Sequence, residues 1–281
     1  MSVNEKMTAI ADNIRSKTGG TEALTLDDMA SGVNEVYEAG KIDGKQTAYD
    51  DFWDSIQNYG KRTRYDCAFS YWGGEYFRPK YKVVPTGVIT ATNGFYRFMN
   101  ASDHIRILEK EYIDLSQLGL ATGSAQAGWR QTFQTCTKLE IVEDIGMQPA
   151  AYYFTFTNSN KLHTIEVLRF AEDTQESSGF LGCLSLTNIT IEGTIGRKLS
   201  FASCPLSVDS LKSVITHLKN YAGVSEYTYT ITFKSSAFTA LEESGFTDED
   251  KAWLEGVGIT YTDDLTWALV IDNLKWNLTL A

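Results

Sequence analysis

Four phenylalanines, Phe133, Phe156, Phe180 and Phe201, recur 23, 24 and 21 residues apart. Each is followed three positions later by a small side chain: Cys136, Ser159, Cys183 and Cys204. Six positions after the first three stands a leucine (Leu139, Leu162, Leu186), and nine positions after them a β-branched residue (Val142, Ile165, Ile189). The segments FQTCTKLEIV, FTNSNKLHTI and FLGCLSLTNI therefore share the template F-x-x-[CS]-x-x-L-x-x-[IV], and a degenerate fourth copy starts at Phe201. A unit of this length supplies one strand and one return segment and cannot bury its apolar side alone. Copies must stack, Phe over Phe and Leu over Leu, to close a core. The small Cys/Ser position fits a tight inward corner, which predicts buried, free thiols there in place of redox or metal chemistry.

The flanking chain reads differently. Met7, Ile10 and Ile14, then Met29, Val33 and Val36, recur at helical spacing over 3–38, with Gly19-Gly20 between them. Phe52 and Ile56 continue such a stripe over about 45–58. Narrow apolar stripes on short helices need a partner, so these eight residues are the candidate oligomerisation or attachment positions. Residues 61–130 are dense in aromatics and turn residues and predict irregular chain with short strands. Tyr71, Trp72, Tyr76 and Trp129 lie there in glycine-bearing contexts and are the candidate ligand-binding rings, since aromatic faces stack on sugars and anchor interfaces. Beyond the repeats, Ser207 and Ser210 predict a capped helix carrying Leu211, Val214, Ile215 and Leu218. The alternation Tyr227, Tyr229, Ile231, Phe233 predicts a strand, and Thr247 with Asp250 a capping box. GITY at 258–261 predicts a short strand, and the tail WALVIDNLKWNLTL two strands around Asp272-Asn273.

Composition removes several function classes. The net charge is -11, which disfavours nucleic acid as a partner. No run of 18 apolar residues predicts membrane insertion, and the N-terminus lacks the apolar run of a secretory signal. His104, His163 and His217 stand far apart, and no HExxH, GxSxG, Walker or GxGxxG pattern occurs. Carboxylate pairs at Asp27-Asp28, Asp50-Asp51 and Asp263-Asp264, and the run Asp248-Glu249-Asp250, read mostly as helix starts and turns. No catalytic residue, metal ligand or cofactor is assigned, and the chain is expected not to be an enzyme.

The Phe-Cys-Leu-Ile template resembles the BspA-like leucine-rich repeats of bacterial surface proteins and of phage tail proteins. The run I-A-x-x-I-R-x-K-T-G from Ile10 to Gly19, then L-x-L-x-x-M from Leu24 to Met29, is similar to a segment that opens tail-associated proteins of phages and prophages. AYDDFWDSIQNYGKRTRYDCAF resembles a segment joining the two. The resemblance implies an α+β chain in three parts: N-terminal helices over 1–60 for attachment or oligomerisation, a small irregular aromatic-rich β region over 61–130, and a short BspA-like leucine-rich-repeat solenoid with a C-terminal cap over 131–281. It implies a structural or adhesive component of a phage or prophage tail (fibre, tip or baseplate), assembled in the host cytoplasm and resident in the virion. Its expected partners are other tail proteins, a host cell-surface glycan or protein, and copies of itself, a trimer more than a dimer. A bacterial cell-surface adhesin and a tail-borne glycan hydrolase are the alternatives.

Overall fold

In the computed structural model, which describes residues 82, 84, 87–88, 104–119, 130–149, 151–224 and 229–281, the repeated phenylalanines form one buried column. The ring centroids of Phe133, Phe156, Phe180 and Phe201 stand 5.4, 5.9 and 4.7 Å apart. The Phe133 and Phe156 rings are each held by a turn whose backbone bonds directly to the next copy. Gln131, Phe133 and Thr135 donate their N–H groups to the carbonyls of Tyr153, Thr155 and Thr157, and Phe154, Phe156 and Asn158 donate to Ser177, Gly179 and Leu181. Residues two before and two after the ring take left-handed backbone: Gln131 and Thr135, Phe154 and Asn158, Ser178 and Gly182. Such positions cost non-glycine residues energy, and the stacked turns hold them in place.

The small-residue column has a hydrogen-bonding duty besides its size. Ser159 Oγ donates to Phe133 O at 2.9 Å and accepts from Cys136 N at 3.2 Å. Cys183 Sγ donates to Phe156 O at 3.1 Å, and Cys204 Sγ reaches Phe180 O at 3.6 Å. A short side chain with one donor therefore satisfies the carbonyl of the preceding phenylalanine, which a buried backbone group requires. Cys136, Cys183 and Cys204 are free thiols.

The β-branched column pairs in parallel. Strands β2 (Ile107–Leu108), β4 (Ile141–Val142), β6 (Thr164–Phe170) and β8 (Asn188–Gly193) lie in that order in one sheet, with Val142 opposite Ile165 and Ile165 opposite Ile189. Leu108 stands opposite Val142, which adds a unit ahead of the three evident in the sequence; Ile105 takes its leucine position and is buried. Arg106 meets Glu140 and Arg169 clamps Asp144 across neighbouring strands, at 2.8 and 2.5 Å.

After β8 the pattern changes. The fourth copy carries Ser207 and Ser210 where Leu and Ile would stand, and the chain turns into helix α1 (Val208–Thr216). Ser207 accepts the Ser210 N–H as N-cap. Ser210 and Ser213 hydroxyls each accept an edge amide of β8, from Ile189 and Ile191, both at 2.9 Å. The helix thus covers the outer edge of that sheet with side-chain oxygens where another strand would supply carbonyls. Strand β9 (Leu199–Phe201) joins a second parallel sheet with β10 (Tyr229–Phe233) and β11 (Trp276–Leu280), in the order β11-β10-β9. Two further two-stranded parallel sheets pair Ala151–Tyr153 (β5) with Gln175–Ser177 (β7), and Gly87–Val88 (β1) with Leu118–Gly119 (β3).

These findings correct the expected architecture. The chain is mixed α/β, with four helices and several short parallel sheets among the described residues. The expected α+β leucine-rich-repeat solenoid with a terminal cap is overturned. No ladder runs through all the copies, and from β9 onward four helices are interspersed with only two further strands, β10 and β11, among the described residues. The reason is local: serines at two apolar positions end the repeat chemistry. The expected helices of 1–60 lie outside the described residues, as does most of the aromatic-rich region.

The C-terminal expectations are corrected in part. The tail forms one helix, α4 (Trp267–Asn273), and one strand, β11, in place of two strands. Thr266 caps α4 by accepting Leu269 N–H, and the Glu242 carboxylate accepts Trp267 and Ala268 N–H at 2.9 and 2.8 Å. Trp267, Val270, Ile271 and Leu274 then bury at helical spacing. GITY forms no strand, because Gly258 turns the chain at φ +80° and Ile259 N–H returns to Leu254 O. Helix α2 (Ser235–Ser244) has no counterpart in the sequence reading. Helix α3 (Asp248–Gly256) has the predicted capping box, Asp250 N to Thr247 Oγ1 at 3.2 Å and Thr247 N to Asp250 Oδ2 at 2.7 Å. Lys212 ties α1 to that box through Asp250 at 2.5 Å.

Candidate functional site

The residues chosen from the sequence as ligand-binding rings, Tyr71, Trp72, Tyr76 and Trp129, lie outside the described residues. So do the attachment positions Met7, Ile10, Ile14, Met29, Val33, Val36, Phe52 and Ile56. The described part offers a different site, a cleft of about 290 Å³ bordered by β7 and the turn after it, by β9, and by β10.

One wall follows from strand alternation. On β9 and β10, Leu199, Phe201, Ile231 and Phe233 point into the core, so Ser200, Thr230 and Thr232 point the other way and are half-buried. Register sets Ser200 beside Thr232, and Thr232 beside Thr279 of β11. Ser177 and Ser178 border the cleft opposite, Ala202 and Ser203 border it after β9, and Leu181 forms a lip 53% exposed. The hydroxyls of Ser177, Ser178, Ser200 and Ser203 have no partner among the described residues.

The cleft's carboxylate is Glu176, which is 4% exposed. It sits opposite Tyr152 in the β5–β7 register, so a charge occupies the position where the preceding copy buries a ring. Its Oε1 accepts Gly179 N–H at 2.6 Å, and the Ser200 backbone amide is near enough to favour the ionised form. No strand ladder joins β7 to β9, and Glu176 borders the cleft between them. Burial pushes its pKa up to about 7, against the opposing pull of the Gly179 and Ser200 amides and of Lys198. Lys198 borders the same cleft from an exposed position.

Among the described residues, the other sequence candidates stay apart from this cleft. His163 Nδ1 lies 2.9 Å from Thr164 Oγ1, and His217 Nδ1 lies 2.7 Å from Ser213 O at the end of α1. Asp264 accepts the Thr262 hydroxyl at 2.6 Å, and Asp248 and Glu249 stand exposed in the first turn of α3. Burial pushes the Cys183 thiol up to about 12 and raises Cys204 as well, which keeps both protonated and poor nucleophiles. Among the described residues no cluster of three His, Cys, Asp or Glu side chains could hold a metal ion, and no helix is long and apolar enough to cross a membrane.

The sequence reading missed Glu176 and its serines because it traced the repeat forward from each phenylalanine and not backward. Four positions before Phe156 stands Tyr152, and four before Phe180 stands Glu176. The same column holds Trp129 and Tyr152 in the earlier copies and Arg197 in the fourth, so the change from ring to charge at Glu176 was the available signal. Comparison with known proteins finds no matching family model, no similar curated protein and no similar solved structure.

Proposed function

We propose that this chain is a non-enzymatic structural and adhesive protein of a phage or prophage tail. In this reading its N-terminal segment joins other tail proteins, or copies of itself as a trimer, and its parallel-stranded unit is displayed for recognition. The observation that carries the recognition role is the hydroxyl-lined cleft bordered by β7, β9 and β10, beside a stacked aromatic core. Such a site offers many weak directional contacts on a stiff frame, which suits binding without turnover. The tail assignment is supported by the resemblance of Ile10 to Met29 to tail-associated segments.

The hydrolytic alternative needs two carboxylates facing one another across the substrate. The cleft is bordered by one, Glu176, whose Oε1 is taken by the Gly179 N–H. The cell-surface alternative is separated from the tail reading by location. Antibodies against the chain, applied to purified particles and to intact producing cells, are expected to label tails. Label on the cell envelope and none on particles would move the protein to the adhesin class. Light scattering on the full chain tests the trimer.

A further inference from the structure

The lining of the cleft narrows what it can hold. Six hydroxyl residues border it, Ser177, Ser178, Ser200, Ser203, Thr230 and Thr232, and all are neutral. The two charged residues beside them, Glu176 and Lys198, have opposite signs, in a chain whose net charge is -11. A phosphate or a carboxylate-rich ligand would meet one ammonium and no array of free amides. A peptide adding as a strand would need an open strand edge here. β7 and β9 are the end strands of their sheets, so such an edge exists and the peptide is the competing occupant that the test separates. The side chains favour a sugar: a row of hydroxyls that can each donate and accept, beside an apolar lip at Leu181. A sugar ring presents that combination in reverse, hydroxyls at its rim and C–H groups on its face. The volume, about 290 Å³, lies near the lower end of small-molecule pockets, about 300–1,000 Å³, and suits a short saccharide rather than a long chain.

We propose that the cleft between β7, β9 and β10 binds a neutral saccharide unit of a cell-surface glycan, with Ser200 and Thr232 hydrogen-bonding its hydroxyls and Leu181 packing on its C–H face. The inference deepens the attachment reading and rests on it for the source of the sugar. Because Glu176 Oε1 is engaged by the Gly179 amide, its role is to position the 177–179 turn, and it is not itself a ligand contact.

The test uses the full chain. Saturation-transfer NMR is run with glucose, galactose, N-acetylglucosamine and rhamnose singly, with purified host-wall polysaccharide, and with a pool of unstructured peptides. Binding to whole host cells is measured alongside. The expected result is transfer from at least one sugar and from the polysaccharide. Thr232→Val with Ser200→Ala is expected to weaken both about tenfold, the scale of one or two lost hydrogen bonds, with the denaturation midpoint little changed. No transfer from any sugar or polysaccharide, equal binding by the double variant, or transfer from peptides alone each overturns the proposal. Cell binding that persists while the sugars fail would leave the attachment reading standing and remove the cleft from it. Sugar binding at the cleft with no cell binding would do the reverse.

Discussion

Glu176 makes a pH signature that can be read without knowing the ligand. Its carboxyl is buried, and its folded pKa is raised from 4.5 to about 7. A raised carboxyl holds its proton more tightly in the folded chain than in the unfolded one. Between 4.5 and about 7 the unfolded chain has released a proton that the folded chain keeps, so stability falls as pH rises through that window. At about 1.4 kcal/mol per pH unit the loss is about 3 kcal/mol. The depressed carboxylates act elsewhere. Asp144, held down mainly by Arg169, and Glu140, held down mainly by Arg106, contribute stability that is lost only as pH drops below their ordinary values of 3.8 and 4.5. The two windows therefore separate. Urea unfolding followed by tryptophan fluorescence, repeated across the interval, is expected to show a midpoint that declines toward neutrality. Glu176→Gln keeps the shape and one acceptor oxygen but cannot ionise, so its midpoint is expected to be flat over the same interval. Equal slopes for the two proteins would refute the assignment of this titration to Glu176.

Other expectations follow from the core. Phe156→Ala, at a fully buried ring stacked on both sides, is expected to cost about 3–5 kcal/mol by urea denaturation; a loss under about 1 kcal/mol would contradict the column. Ser210→Ala leaves the Ile189 amide at the sheet edge without its acceptor and is expected to cost about 1–3 kcal/mol, with faster amide exchange confined to β8 and α1. Gly193→Ala puts a Cβ 2.0 Å from Phe170 O at φ +87°, so the variant is expected to yield little folded protein, whereas Gly256→Ala, with open space around it, is expected to behave as wild type. Cys136, Cys183 and Cys204 are expected to resist a thiol reagent at neutral pH until urea is added, as mass spectrometry of labelled peptides would show.

What the sequence determined alone was the periodic core. The spacing of Phe, Cys or Ser, Leu and Val or Ile was enough to say which side chains are buried and that the copies lie over one another. Each of these columns repeats the same local need in every unit. The capping of α1 by Ser207 and of α3 by Thr247 and Asp250 was equally legible, because a cap is a contact between residues three apart. The unit at Ile105 and Leu108 was harder to see, since its leucine and β-branched positions carry other aliphatic residues. Tertiary structure decided where the pattern ends and what replaces it. Ser210 becomes an acceptor for Ile189 only once the helix lies along the sheet edge, 21 residues away in sequence. The tail folds as α4 only because Glu242, on another helix, supplies the oxygens for its first amides. The cleft has the same origin. Ser177, Ser200 and Thr232 come from three segments with no shared motif, and they meet because two parallel sheets end side by side, with Glu176 bordering the cleft between them. Local hydrogen bonds and periodic burial are properties of neighbours along the chain, whereas a cleft is a property of segments that become neighbours only after the core has closed.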